Sequence, residues 1–188
     1  MATRTFLALP LDEAIQRQLA EIQQQLDTVG AAVRWTDPHQ LHVTVKFLGD
    51  VADKEMVDVC AIATEVAEGI GAFDFSVGHI ISAPPHGQMR MVWVGIDEPT
   101  GRMEELHRQL DLAYGGMGYK QENRGFRPHL TLGRVKSGRM VLQFRQAVAA
   151  MSDMQFGQQG ADDLILFASE LTREGPVYTP LVTAPLGQ

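Results

Sequence analysis

The chain has 188 residues, 45% of them apolar and 21% charged, which suits a folded domain and excludes disordered or collagen-like classes. Its 16 Lys and Arg stand against 23 Asp and Glu, a net charge of −7. That balance argues against broad wrapping of nucleic acid, which needs many phosphate contacts, but leaves room for a small site gripping one or two phosphates.

Residues 3–9 are β-branched, aromatic and aliphatic, and predict a strand ending at Pro10. Leu11, Ile15, Leu19, Ile22 and Leu26 recur at steps of three and four, the stripe of an amphipathic helix, with Gly30 as its stop. Residues 33–35 predict a short strand and 41–48 a longer one, closed by Gly49-Asp50. Asp53 is placed to cap a helix running to Glu68. Residues 73–82 and 89–96 predict a hairpin around Pro84-Pro85-His86-Gly87. A helix follows from Thr100 to Gly115-Gly116, then a strand over 128–134, a helix over 141–150, and strands over 164–169 and 177–183. Interleaved helices with hairpins indicate an α+β chain with antiparallel sheets rather than a doubly wound parallel one. A strand with a histidine motif followed by a helix recurs in each half.

No apolar run reaches the ~18–20 residues that span a bilayer, and the first ten residues are too interrupted for a signal peptide, so a soluble cytoplasmic protein is expected. The single cysteine, Cys60, lies among Met56, Val57, Val59 and Ile62 and reads as a small buried apolar residue rather than a nucleophile. Residues 124–139 hold Arg124, Arg127, Arg134, Lys136 and Arg139 and no acid. This is either a home for an anionic ligand or a solvated basic loop.

Two strands carry a matched motif: Leu41-His42-Val43-Thr44-Val45 and Pro128-His129-Leu130-Thr131-Leu132. With six histidines and eleven threonines in the chain, well under one chance His-x-Thr is expected, so the pair carries weight that either alone would lack. Side chains i and i+2 share a strand face, so His42 and Thr44 point one way and the aliphatic residues the other. His129 and Thr131 do the same. If the strands face each other, two imidazoles and two hydroxyls converge. That set suits phosphodiester hydrolysis, with one neutral histidine as general base and one protonated histidine as general acid, each worth roughly 10²–10⁴-fold in rate. Threonine hydroxyls can donate to the non-bridging phosphate oxygens.

These motifs resemble those of the two-histidine (2H) phosphoesterase superfamily, and more narrowly the LigT-like (ThpR-type) RNA 2′,3′-cyclic phosphodiesterases. The resemblance covers nearly the whole chain, including Val33-Arg34-Trp35, Val92-Trp93-Val94-Gly95 and Phe126-Arg127-Pro128-His129-Leu130-Thr131-Leu132-Gly133-Arg134. It implies one domain over residues 1–188, with two intertwined, pseudo-symmetric lobes of antiparallel sheet, helices on their outer faces and a central groove. It implies metal-independent, cofactor-free hydrolysis of RNA 2′,3′-cyclic phosphate ends to 2′-phosphate. In that scheme His42 is the proton donor and His129 the acceptor, with Arg134 near the phosphate. Ideal strand parity turns Arg134 away from the groove unless the strand ends or bulges near Gly133. Arg127 is a candidate RNA-backbone contact. Lys46 shares the His42 face and either touches phosphate or is a solvated strand-end lysine. Phe47, Trp35 and Trp93 read as core.

His39 and His42 invite a metal reading, but no clear third ligand accompanies them. His79, His86 and His107 carry no motif. Rival functions are the same chemistry on a small cyclic nucleotide, 2′-5′ RNA ligation, a non-catalytic RNA-binding module and a metal-dependent hydrolase. A monomer acting on RNA ends or small nucleotides is expected.

Overall fold

Strand β1 (Ala2–Pro10) buries an unbroken run from Thr5 to Leu9, because it lies inside a sheet with neighbours on both edges. The computed structural model describes residues 1–122, 125–173 and 175–187; Arg124 of the basic segment lies outside them. β1 pairs antiparallel with β3 (His42–Ala52) and β8 (Asp163–Leu171), and β9 (Pro176–Pro185) completes the order β3-β1-β8-β9. A second antiparallel sheet runs β2-β6-β5-β4-β7, with β2 Val33–Trp35, β4 Phe73–Ala83, β5 Met91–Asp97, β6 His129–Val135 and β7 Gln155–Ala161. The α+β, two-lobed expectation holds.

Helix α1 (Glu13–Asp27) buries Ile15, Leu19, Ile22 and Leu26, the stripe predicted from their spacing, and ends before Gly30, whose φ of 77° is easy only for glycine. It leaves β1 of the first sheet but packs on the second, where the Gln18 amide donates to Phe156 O at 2.9 Å. Helix α3 (Arg102–Gly116) does the converse, leaving β5 of the second sheet and packing beside β3 of the first. α2 (Met56–Glu68) packs against α3 and β9, and α4 (Val141–Ala150) against β4. The crossing of α1 and α3 interleaves the lobes through one continuous apolar core.

Two elements differ from expectation. β7 reads Gln-Phe-Gly-Gln-Gln-Gly-Ala, poor in strand-favouring residues; it forms as an edge strand that buries only Phe156, Gln159 and Ala161. Asp53 does not cap the helix: it opens a short 3-10 turn, Asp53–Glu55, that puts Glu55 at the N-cap position of α2, and the Asp53 carboxylate accepts instead from the amino terminus at 3.1 Å. No helix among the described residues is long and apolar enough to cross a membrane.

Candidate active site

The two motif strands lie side by side. β3 is the edge of its sheet, and β2 covers β6 only over its far half, at Gly133–Val135, so the His129 end of β6 is an open edge too. β3 and β6 touch without sharing a ladder.

Each strand bulges directly after its His-x-Thr. On β3, Thr44 pairs with Ala8 but Lys46 pairs with Leu7, so the register skips Val45. On β6, Thr131 pairs with Trp93 but Gly133 pairs with Val92, so the register skips Leu132. One extra residue inverts the parity beyond it, on β3 as far as a second shift that skips Leu48. His42 and Thr44 are half-buried, Val43, Val45 and Lys46 buried, and Phe47 exposed; His129 to Arg134 repeat that sequence position for position.

The bulges revise the side-chain assignments. Lys46 leaves the His42 face and is only 1% exposed. Its ammonium pairs with Asp111 on α3 and donates to Lys120 O at 2.8 Å, so it neither reaches the groove nor is solvated. Phe47 takes the groove position instead, 57% exposed and 5.9 Å from the Phe6 ring, rather than lying in the core. Arg134 gains the groove face by the same inversion. Gly133 turns inward, where a Cβ would meet Trp35 and Val33 at 2.8 Å, which is why glycine stands there.

The imidazoles are mounted alike. His42 Nδ1 donates to Gln40 O at 2.7 Å, and His129 Nδ1 to Arg127 O at 2.7 Å, each two residues upstream. Because a carbonyl only accepts, Nδ1 carries the proton and Nε2 is left for chemistry. His42 stacks on Phe6 at 4.8 Å with Tyr178 edge-on at 5.4 Å; His129 stacks on Trp93 at 3.9 Å. Burial pushes both pKa values below 6.5, and the carbonyl bonds only partly offset it. Trp93 is thus the rest for an imidazole rather than plain core. The Arg127 side chain is exposed, and its backbone carbonyl does the orienting.

Sequence reasoning missed two buried polar side chains beneath the bulges. His107 of α3 donates from Nδ1 to Val45 O at 2.7 Å, and its ring stacks on Phe126 at 4.4 Å. Gln23 of α1 donates to Leu132 O at 3.0 Å and to Thr36 O at 2.7 Å. Each bulge carbonyl is therefore held from a helix launched by the opposite sheet. A signal existed. Gln23 stands four after Leu19 and three before Leu26, and His107 four after Met103 and three before Leu110, so both sit on apolar stripes.

Arg134 also faces the other lobe. The Tyr178 hydroxyl is pushed up by burial, partly offset by the charges of Arg134 and of Arg4 on β1. Arg134 contacts Met91 Sδ at 3.3 Å, and Arg34 stands directly opposite it on β2. His39 is exposed, and no group of three or more metal-ligating side chains occurs among the described residues.

The LigT like Phosphoesterase family model matches this chain twice, over residues 9–93 and 94–178. The chain belongs to the LigT-like phosphoesterase family. Each copy of the LigT-like unit carries one His-x-Thr strand, His42 in the first and His129 in the second. An RNA 2′,3′-cyclic phosphodiesterase of Methanothermobacter thermautotrophicus is 32% identical over 181 residues, covering 96% of this chain and 97% of that protein. The crystal structure of TT0787 of Thermus thermophilus superposes with a TM-score of 0.82 at 25% identity, covering 98% of this chain and 99% of the other. E. coli LigT in complex with 3′-AMP shares the LigT-like fold at a TM-score of 0.80 and 23% identity, each chain covered in full at 100%.

Proposed function

We propose that this LigT-like phosphoesterase hydrolyses the 2′,3′-cyclic phosphate at RNA ends to a 2′-phosphate, acting as a cytoplasmic monomer whose 188 residues form one domain. The matched mounting of the two imidazoles carries the proposal: each has Nδ1 tied to a carbonyl, leaving Nε2 for the substrate. Curated relatives of near-equal length are named RNA 2′,3′-cyclic phosphodiesterase, in keeping with it.

His129 Nε2 takes a proton from water as the water oxygen attacks phosphorus. The bond from phosphorus to the 3′ oxygen breaks, and His42 Nε2–H gives its proton to that oxygen. The products are a 3′-hydroxyl and a 2′-phosphomonoester. Both proton transfers are served by side chains, so the step calls on no metal. Thr44, Thr131 and Arg134 donate to the non-bridging oxygens as charge builds there.

The test is a short RNA ending in a 2′,3′-cyclic phosphate, incubated with the protein in EDTA. A 2′-phosphate product is expected. Unchanged substrate, or a 3′-phosphate product, would overturn the proposal.

A further inference from the structure

The basic segment continues past the active site into a second region. Arg34 and Arg134 are exposed and directly opposed across β2 and β6, so their side chains leave the same sheet face. Like charges directly opposite each other destabilise a sheet. One strand end further on lies a cavity of about 140 Å³, lined by Arg90, Lys136, Arg145, Gly138 and Leu142 among others, with no Asp or Glu in its wall. The Arg145 guanidinium donates to Pro85 O and Gly87 O, both at 2.8 Å, and fixes the turn that closes one side. Among the described residues no carboxylate lies within ion-pair distance of Arg90 or Lys136.

The wider charge pattern agrees. Residues 125–152 hold Arg127, Arg134, Lys136, Arg139 and Arg145 and no acid, in a chain of net charge −7. Concentrating cations where the rest of the surface is acidic sets up a local field for an anionic ligand. Lys136 is two residues beyond Arg134, about 6.6 Å along a strand. Neighbouring phosphates of one strand lie farther apart in space than the axial rise of about 3.4 Å per nucleotide, so this separation suits two adjacent phosphates. A polyanion with regularly spaced charges, held by its end at the histidines, fits this run better than a single phosphate does.

We infer that the Arg34–Arg134 row and the Arg90–Lys136 cavity form a track for the sugar–phosphate backbone upstream of the cyclic end. The preferred substrate is then a single RNA strand several nucleotides long rather than a mononucleotide. This rests on the proposed cyclic-phosphate chemistry for what sits at the histidines, but not for the track itself.

The experiment compares kcat/KM for a five-nucleotide RNA ending in a 2′,3′-cyclic phosphate with that for a nucleoside 2′,3′-cyclic monophosphate. It uses the native protein and the Arg90→Ala/Lys136→Ala double variant. Native protein is expected to favour the oligomer. The double variant should reduce that preference about tenfold, mainly through KM. It should also flatten the dependence of log KM on log salt by roughly 0.7 for each phosphate that it no longer neutralises. Lys136→Arg with Arg90 intact should keep the preference. An oligomer preference equal in both proteins would overturn the track. Fluorescence anisotropy with a 5′-labelled RNA already ending in a 2′-phosphate separates the two proposals. Weaker binding by the double variant supports the track even if no substrate is turned over. Equal binding sinks it even if the cyclic phosphate is hydrolysed.

Discussion

The two motif strands solve one geometric problem with different walls. Both place a half-buried His and Thr on the groove face, bulge one residue later, and tie Nδ1 to the carbonyl two residues upstream. Beyond the bulge they part. The fourth residue after the histidine is Lys46 in one lobe and Gly133 in the other; the fifth is Phe47 in one and Arg134 in the other. Around His42 the wall is aromatic, with Phe6 in ring contact with Phe47, Phe167 and Tyr178. Around His129 it is Trp93 with Arg134 and Arg34. In the proposed reaction the shared geometry would serve proton transfer, and the differing walls would suit a base on one side and phosphate on the other.

The sharpest way to break the symmetry is to remove one imidazole at a time. His42→Ala and His129→Ala should each lower single-turnover rates on a cyclic-phosphate RNA by roughly 10²–10⁴-fold, the worth of one acid or base. Full activity in either variant would show that the lobes are not partners in the chemistry. Residues acting as a unit are non-additive, so the double variant should be little slower than the worse single one.

The Lys46 and Gly133 positions test how each bulge is backed. Lys46→Met leaves the partly buried Asp111 without its cation and should cost about 3–5 kcal/mol in denaturant unfolding. Burial pushes the Asp111 pKa up, but bonds from Lys46 and the Glu122 N–H outweigh this and hold it below the usual range. That stabilisation is present above the unfolded carboxylate pKa of about 3.9 and is lost as pH falls through the lowered folded value. Gly133→Ala has no ion pair to break, and should cost about 1–3 kcal/mol by overpacking against Trp35 and Val33. An equal cost at both sites would contradict the assignment of Lys46 to a buried pair.

The carbonyls at the bulges supply a smaller, matched pair of changes. His107→Leu and Gln23→Leu each leave a bulge carbonyl without its side-chain donor, at about 1–3 kcal/mol. If the ties set the groove residues, His107→Leu should alter activity through the Phe47 lobe and Gln23→Leu through the Arg134 lobe. The KM and kcat of each should then shift toward those of Phe47→Ala and Arg134→Ala respectively. Loss of stability with unaltered kinetics would reduce both to packing.

Much of this site is legible in the strands and little of it in the bulges. His42 with Thr44 and His129 with Thr131 follow from the period of two, which is local. A bulge near Gly133 is legible as something glycine permits, and the shift at Leu132 falls there; the bulge at Val45 follows from how β1 lies against β3, a long-range register that no residue there announces. Unbroken parity on β3 therefore puts Lys46 in the groove and Phe47 in the core, both on the wrong face, whereas Arg134 joins the groove on the condition that its glycine neighbour suggested. Gln23 and His107 are legible in principle, as polar residues on apolar helical stripes, but what they bond is not. β7 is illegible because its formation depends on β4 beside it rather than on its own Gln and Gly.

The smallest expected effect is a displacement in pH. Both histidines lie below 6.5 because burial disfavours the imidazolium, with one carbonyl bond each pulling the other way. The base must be neutral, so its limb of kcat/KM falls as pH drops through its lowered pKa. The acid must be protonated, so its limb falls as pH rises through its own lowered pKa. Both limbs therefore move to the acid side, and kcat/KM should peak below about pH 6.5, the unperturbed imidazole value. In the proposed complex a phosphate anion would lie beside both rings, which would favour the imidazolium and should move the kcat profile upward from that of kcat/KM. A kcat/KM optimum above about pH 7 would mean that the burial seen at Phe6 and Trp93 does not govern the titration in either lobe.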